Sequence, residues 1–155
     1  MRRSSVVLSF VLLACASACS HILDVTSPDA HPVRGIELSI VIPGSCLLTC
    51  APVLADHQAL AIVRVVNRGG QASYVQTCGT QAMLVEQQYV LGQWVNSGAA
   101  IICPVTPRQL SLAPGDSIRV NWYFASGRSR IVLGVGGRAD LSDAALAAAA
   151  AIDVP

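Results

Sequence analysis

From Gly35 onward apolar residues recur at every second position. Ile36, Leu38, Ile40 and Ile42 alternate with Glu37, Ser39 and Val41, which predicts a strand with one buried face, ended by Pro43-Gly44. Gln58–Asn67 (QALAIVRVVN) is almost continuously apolar and rich in β-branched residues, as a central sandwich strand is, and Arg68-Gly69-Gly70 closes it. Residues 73–77 form a short strand. Residues 81–90 form another, which turns at Gly92 onto Gln93-Trp94-Val95. The sharpest alternation lies in residues 116–124. Ile118, Val120, Trp122 and Phe124 share one face, and Ser117, Arg119, Asn121 and Tyr123 share the other. Leu112-Ala113-Pro114-Gly115-Asp116 leads into that strand. Proline presets φ and glycine supplies φ > 0, as a type II turn requires. Residues 128–135 alternate again after Ser126-Gly127, so the last two strands are expected to form a hairpin.

Short strands separated by Gly and Pro turns predict an all-β chain, an antiparallel immunoglobulin-like β-sandwich of about seven strands over residues 35–155. No βαβ spacing is present. The one helical candidate is residues 141–151 (LSDAALAAAAA), with Ser142 as its N-cap. Eleven residues are marginal for an isolated helix, so it reads as a short excursion before an edge segment, Ile152-Asp153-Val154.

The N-terminus has a different pattern. Arg2 and Arg3 precede an uncharged apolar run, residues 6–14 (VVLSFVLLA), and small residues follow. That is the layout of a secretory signal over residues 1–18. The run is too short to span a bilayer, which takes about 20 residues. The segment also resembles a bacterial lipoprotein signal, whose lipobox ends in an acylated Cys. Leu12-Leu13-Ala14-Cys15 and Ala16-Ser17-Ala18-Cys19 compete as registers. Acylation at Cys19 discards Cys15 and leaves an even number of cysteines, which favours Cys19. Read instead as an ordinary A-x-A site, Ala16-Ser17-Ala18 would release a secreted protein. Residues 19–34, with Pro28 and Pro32, read as a tether. The expected place is the cell envelope, with the membrane as partner through the lipid.

Charge narrows the function. Ten basic residues, all arginine, oppose nine acidic ones, a formal charge of +1. Losing residues 1–18 removes Arg2 and Arg3 and leaves a charge of −1. A nucleic-acid partner recognised by a broad basic surface is therefore not expected.

Cys46, Cys50, Cys78 and Cys103 lie within the domain, and four cysteines allow three connectivities. Export to an oxidising compartment favours disulfides over thiols. A Cys46–Cys50 bridge would close about five residues and contribute about 2 kcal/mol. A Cys78–Cys103 bridge would close about 26 residues and contribute about 3.5 kcal/mol. No metal is expected. Cys46 and Cys50 with His57 lack a local fourth ligand, and His21 and His31 read as solvated tether residues. No cofactor is expected, since the glycines of residues 134–137 have no helix after them. Catalysis is not expected either: Asp56-His57 has no nucleophile motif nearby, and Glu86 and Asp116 are too isolated to be read as a carboxylate pair. Trp122 falls on the inward register. Trp94, near a turn, is expected to pack over a sheet edge, with an exposed interface anchor as the other reading.

A lipobox-like signal, a tether and an all-β domain carrying Leu112-x-Pro114-Gly115-Asp116 and Gly127-Arg128-x-Arg130-Ile131-x-Leu133 resemble small bacterial envelope proteins with an immunoglobulin-like sandwich. Among named families the stretch from Arg34 to Val135 resembles the intracellular proteinase inhibitor (BsuPI-type) domain. No inhibitory residue can be matched. The sequence leads to a non-enzymatic envelope protein, a lipid-anchored binding or structural module. The resemblance adds the alternative of an inhibitor of an envelope protease acting through an exposed loop.

Overall fold

The computed structural model describes residues 30–46, 50–52, 54–55 and 58–155. All regular structure in them is β, in fourteen strands numbered in chain order. β1 (Ile36–Val41), β5 (Gln58–Asn67) and β11 (Ser117–Ala125) form one antiparallel sheet in that order, with β4 (Leu54–Ala55) also on β5. The second sheet has the order β10 (Arg108–Leu112), β6 (Ser73–Cys78), β12 (Gly127–Gly136), β8 (Val85–Val90), β9 (Gln93–Ala100). β7 (Gln81–Ala82) adds to β6, and β13 (Ala145–Ala148) and β14 (Ile152–Val154) add to β12. β2 (Gly44–Cys46) and β3 (Cys50–Pro52) pair as a separate ribbon.

The sheets pack face to face as a β-sandwich, because each strand turns one apolar parity inward. Val63 and Val65 of β5, Phe124 of β11, and Ile131, Leu133 and Val135 of β12 are buried in one core. β5 is central, as its near-continuous apolarity predicts. Its inward Ala59, Ala61, Val63 and Val65 are buried, while outward Leu60, Ile62 and Arg64 are half-covered. The type II turn is also present: Asp116 N donates to Ala113 O at 3.0 Å, and Gly115 has φ +89°.

Three expectations change. β11 and β12 do not form a hairpin. β11 pairs with β5, whereas β12 pairs with β6, β8, β13 and β14, so the chain crosses between sheets at Ser126. Alternation reveals which face of a strand is buried but not which strand lies beside it. Residues 81–90 are not one strand: β7 leaves β6 at Ala82, and β8 starts at Val85 against β12.

The third change concerns residues 141–151, which contain no helix. Ala145–Ala148 pairs with β12 instead, with Ala148 opposite Val132 and Ala145 opposite Val135. An open strand edge beside a buried pocket for Ala147 and Ala149 outweighs alanine's helix propensity. Ser142 caps nothing. Its N–H and hydroxyl donate to Asp140 Oδ1 at 3.0 and 2.8 Å, and these bonds hold the exposed Asp140 carboxyl below its ordinary value. The segment ends in β14, the edge strand expected at Ile152–Val154.

At its base the expected tether is fastened to the sandwich. His31 N donates to Ala148 O, and Ala148 N donates to His31 O, both at 3.0 Å. Arg34 Nη2 pairs with Asp143 Oδ2 at 2.9 Å. Residues 1–18 and Cys19 lie outside the described residues.

Candidate functional site

The outward face of the second sheet carries its most distinctive side-chain arrangement. Val90-Leu91-Gly92-Gln93 is a two-residue hairpin turn joining β8 to β9. Leu91 and Gly92 have φ +50° and +85°, a type I′ geometry that suits the twist of the flanking strands. That register sets Tyr89 opposite Trp94 and Gln87 opposite Asn96. On the other side of β8, Arg130 of β12 stands opposite Gln87. Alternation brings Gln87, Tyr89, Trp94, Asn96, Arg128 and Arg130 onto one surface.

These groups interlock. The Arg130 guanidinium reaches over β8 and sits 4.3 Å from the centre of the Trp94 ring. Arg130 Nε donates to Gln87 Oε1 at 2.9 Å, and Gln87 Nε2 donates to Asn96 Oδ1 at 3.1 Å. Arg128 lies over Tyr89 at 5.4 Å, and the Tyr89 and Trp94 rings are tilted against each other with centres 5.1 Å apart. Each cation–π contact contributes about 0.5–1 kcal/mol at such exposed sites. The result is a pre-ordered patch of guanidinium, ring and amide groups on a rigid sheet. Chemically it can stack on a planar or apolar ligand and donate to anionic oxygens. Trp94 belongs to the edge strand β9 and is half-buried, between the Arg130 guanidinium and the Tyr89 ring.

Beneath this patch, Glu86 points the opposite way into the core and is 1% exposed. Trp122 Nε1 donates to its Oε2 at 3.0 Å, and Ser129 Oγ donates to its Oε1 at 3.2 Å. With both carboxylate oxygens engaged by neighbouring core groups, Glu86 ties the two sheets together. Asp116 sits elsewhere, in the turn before β11, where its Oδ2 accepts from Ala113 N at 2.8 Å.

A concavity of about 460 Å³ lies at the other end of β12, lined by Arg34, residues 69–73, Gly137, Arg138 and Asp143. Asp143 organises it. Its Oδ1 accepts from Gly137 N and Arg138 N at 3.1 and 3.2 Å, while Oδ2 holds Arg34. That carboxylate occupies the anion position the glycine loop creates.

Cys78 and Cys103 form a disulfide, with Cα atoms 5.4 Å apart. It joins the end of β6 to the connection between β9 and β10. Cys46 stands opposite Cys50 in the β2–β3 ribbon. Cys15, Cys19, His21, Asp56 and His57 lie outside the described residues. Among the described residues, no group of three or more His, Cys, Asp or Glu is placed to hold a metal ion.

Sequence reasoning missed the arginine–aromatic patch, although half of it was legible. A two-residue turn at Leu91-Gly92 requires Tyr89 to face Trp94. No signal tells that β12 lies against β8, which is what adds Arg128 and Arg130. No protein-family model matches the chain, and no curated protein matches it significantly.

Proposed function

We propose that this protein is a non-enzymatic component of the cell envelope, held to a membrane by a lipid on Cys19 and offering its β-sandwich as a binding or structural module. One observation carries the reading. A chain whose first residues have the layout of an export signal ending in cysteine also has a Cys78–Cys103 disulfide, as a domain in an oxidising compartment does. The sandwich supports a binding role by its surface: Arg128, Arg130, Tyr89 and Trp94 are held in place before any ligand arrives, which lowers the ordering cost of association.

Cell fractionation tests the reading. The wild type is expected in the membrane fraction and Cys19→Ala in the soluble fraction, with Cys15→Ala still anchored. Loss of anchoring in Cys15→Ala alone would move the lipid to Cys15. A wild type that is soluble would remove the lipid from the reading.

A further inference from the structure

The apex of the β8–β9 hairpin is built unlike a solvated turn. Leu91 is 100% exposed. It also holds φ +50°, a left-handed conformation that Asn or Gly adopts more cheaply and that costs a leucine about 1 kcal/mol. Among the described residues the Leu91 side chain packs on nothing that offsets that cost. Apolar side chains also stand behind it on both faces of the hairpin. Val90 and Val95 lie on one face, 46% and 42% exposed, and Tyr89 and Trp94 lie on the other. Gln93 stands opposite Val90 and Gln88 opposite Val95, so that first face is mixed, whereas the ring pair and the apex Leu91 carry no polar neighbour between them along β8 except the strand's own backbone.

We infer that this hairpin tip is a second membrane contact: Leu91 and Val90 dip into a phospholipid surface, Tyr89 and Trp94 sit at the interface, and Arg128 and Arg130 meet the phosphate headgroups. The order of chemistries along the hairpin matches the order of layers in a leaflet. The aliphatic residues are at the apex, and the amphipathic rings come next, where Trp and Tyr are favoured at membrane interfaces. Arg130 stands beside the rings, as does Arg128, which faces Asp153 of β14 across the sheet, and a cation near an anionic lipid surface is attracted by about 1 kcal/mol.

The direction of the chain agrees. β13 runs antiparallel to β12, from the level of Val135 to that of Val132. His31 pairs antiparallel with Ala148. Going back from His31 the chain is therefore directed toward the Gly127 end of β12. Continuing the β8–β12 register brings Tyr89 level with Arg128, so the hairpin tip projects at that same end. The described chain therefore reaches His31 from the end of the sandwich at which the hairpin tip projects. The inference rests on the anchored reading for its setting, but lipid contact by the hairpin is testable without the anchor.

The test uses the full chain carrying Cys15→Ala and Cys19→Ala together, so that no lipid can be attached. It is mixed with vesicles of phosphatidylethanolamine and phosphatidylglycerol and floated on a density gradient. The chain is expected to float, and to float less with phosphatidylcholine vesicles. Leu91→Asn keeps the left-handed turn, so its melting temperature should equal or exceed that of the parent chain while vesicle affinity drops at least about tenfold. Arg130→Gln should reduce the preference for phosphatidylglycerol. Absence of flotation, or flotation unchanged by Leu91→Asn, overturns the proposal. So does an effect of Leu91→Asn on native membranes but not on protein-free vesicles, which would make the tip a protein-binding element. If the doubly substituted chain ignores vesicles while the wild type stays in the membrane fraction through Cys19, the anchored reading stands and the hairpin proposal alone fails.

Discussion

Trp122 Nε1 donates to Glu86 Oε2 at 3.0 Å across the two sheets, the one from β11 and the other from β8. Both residues are buried, at 7% and 1% exposure, so the bond is shielded from competing water. A buried hydrogen bond to a charged group contributes about 1.5–3 kcal/mol. A double-mutant cycle with Trp122→Phe and Glu86→Met, which removes the acceptor, read by chemical denaturation, should return a coupling in that range. Coupling near zero would mean that the two side chains do not meet in solution. The same strand provides a check of facing: Trp122→Ala should cost about 3–5 kcal/mol, and Tyr123→Ala, on the solvent side, much less.

Removing the Cys78–Cys103 disulfide should destabilise the sandwich by about 2–4 kcal/mol. The bridge ties β6 to the long connection after β9, which β10 then follows back onto β6. Cys78→Ala and Cys103→Ala together should therefore lower the denaturation midpoint and raise protease cleavage between residues 101 and 107. An unchanged midpoint in the double variant would show that the bridge constrains nothing that the sheet does not already hold.

The strands of the core were legible because their apolar periods are unambiguous. Residues 36–40 and 116–122 alternate clearly, and β1 and β11 appear there with the expected faces inward. Partnership was not legible. The same alternation in residues 128–135 suits a hairpin with β11 or a crossover to the other sheet, and only the requirement to cover the core from both sides decides between them. Residues 145–148 misled because alanine's local preference is helical, while the open edge of β12 is a tertiary fact. Glu86 reads in the sequence only as too isolated to pair with Asp116. Its parity with Ala82 and Leu84 pointed inward, but a glutamate is rarely buried without a partner, and its partners lie on distant β11 and β12.

Asn67 is a fully buried polar hub and should be intolerant of change. Its Nδ2 donates to Leu112 O and Gln71 O, both at 2.8 Å, and its Oδ1 accepts from Gly69 N at 2.8 Å. Its backbone also bonds to the turn before β11, accepting from Gly115 N at 2.8 Å. Asn67→Ala leaves three groups without their partner, in a place where each lost partner costs about 1–3 kcal/mol. A loss of about 3 kcal/mol or more is expected, with Asn67→Asp little better, because aspartate cannot donate to the two carbonyls. Thermal unfolding of both variants checks this, and a loss below about 1 kcal/mol in Asn67→Ala would contradict it.

Two glycines that look alike in sequence should respond oppositely to alanine. Gly35 has φ +78°, and a Cβ there would run into the backbone of Gly69, where the loop after β5 crosses the start of β1. Arg68 N donates to Gly35 O at 2.7 Å in the same crossing, so neither chain segment can withdraw without losing that bond. Gly35→Ala therefore combines a disfavoured φ with a backbone collision and should destabilise by more than about 2 kcal/mol. Gly134, in the interior of β12, has open space where its Cβ would be. Gly134→Ala loses no contact and reduces the freedom of the unfolded chain, so it should leave stability unchanged or raise it by up to about 1 kcal/mol. Denaturant titration of the two variants side by side gives the comparison. Equal effects would mean that the Gly35–Gly69 crossing is looser in solution than its geometry requires.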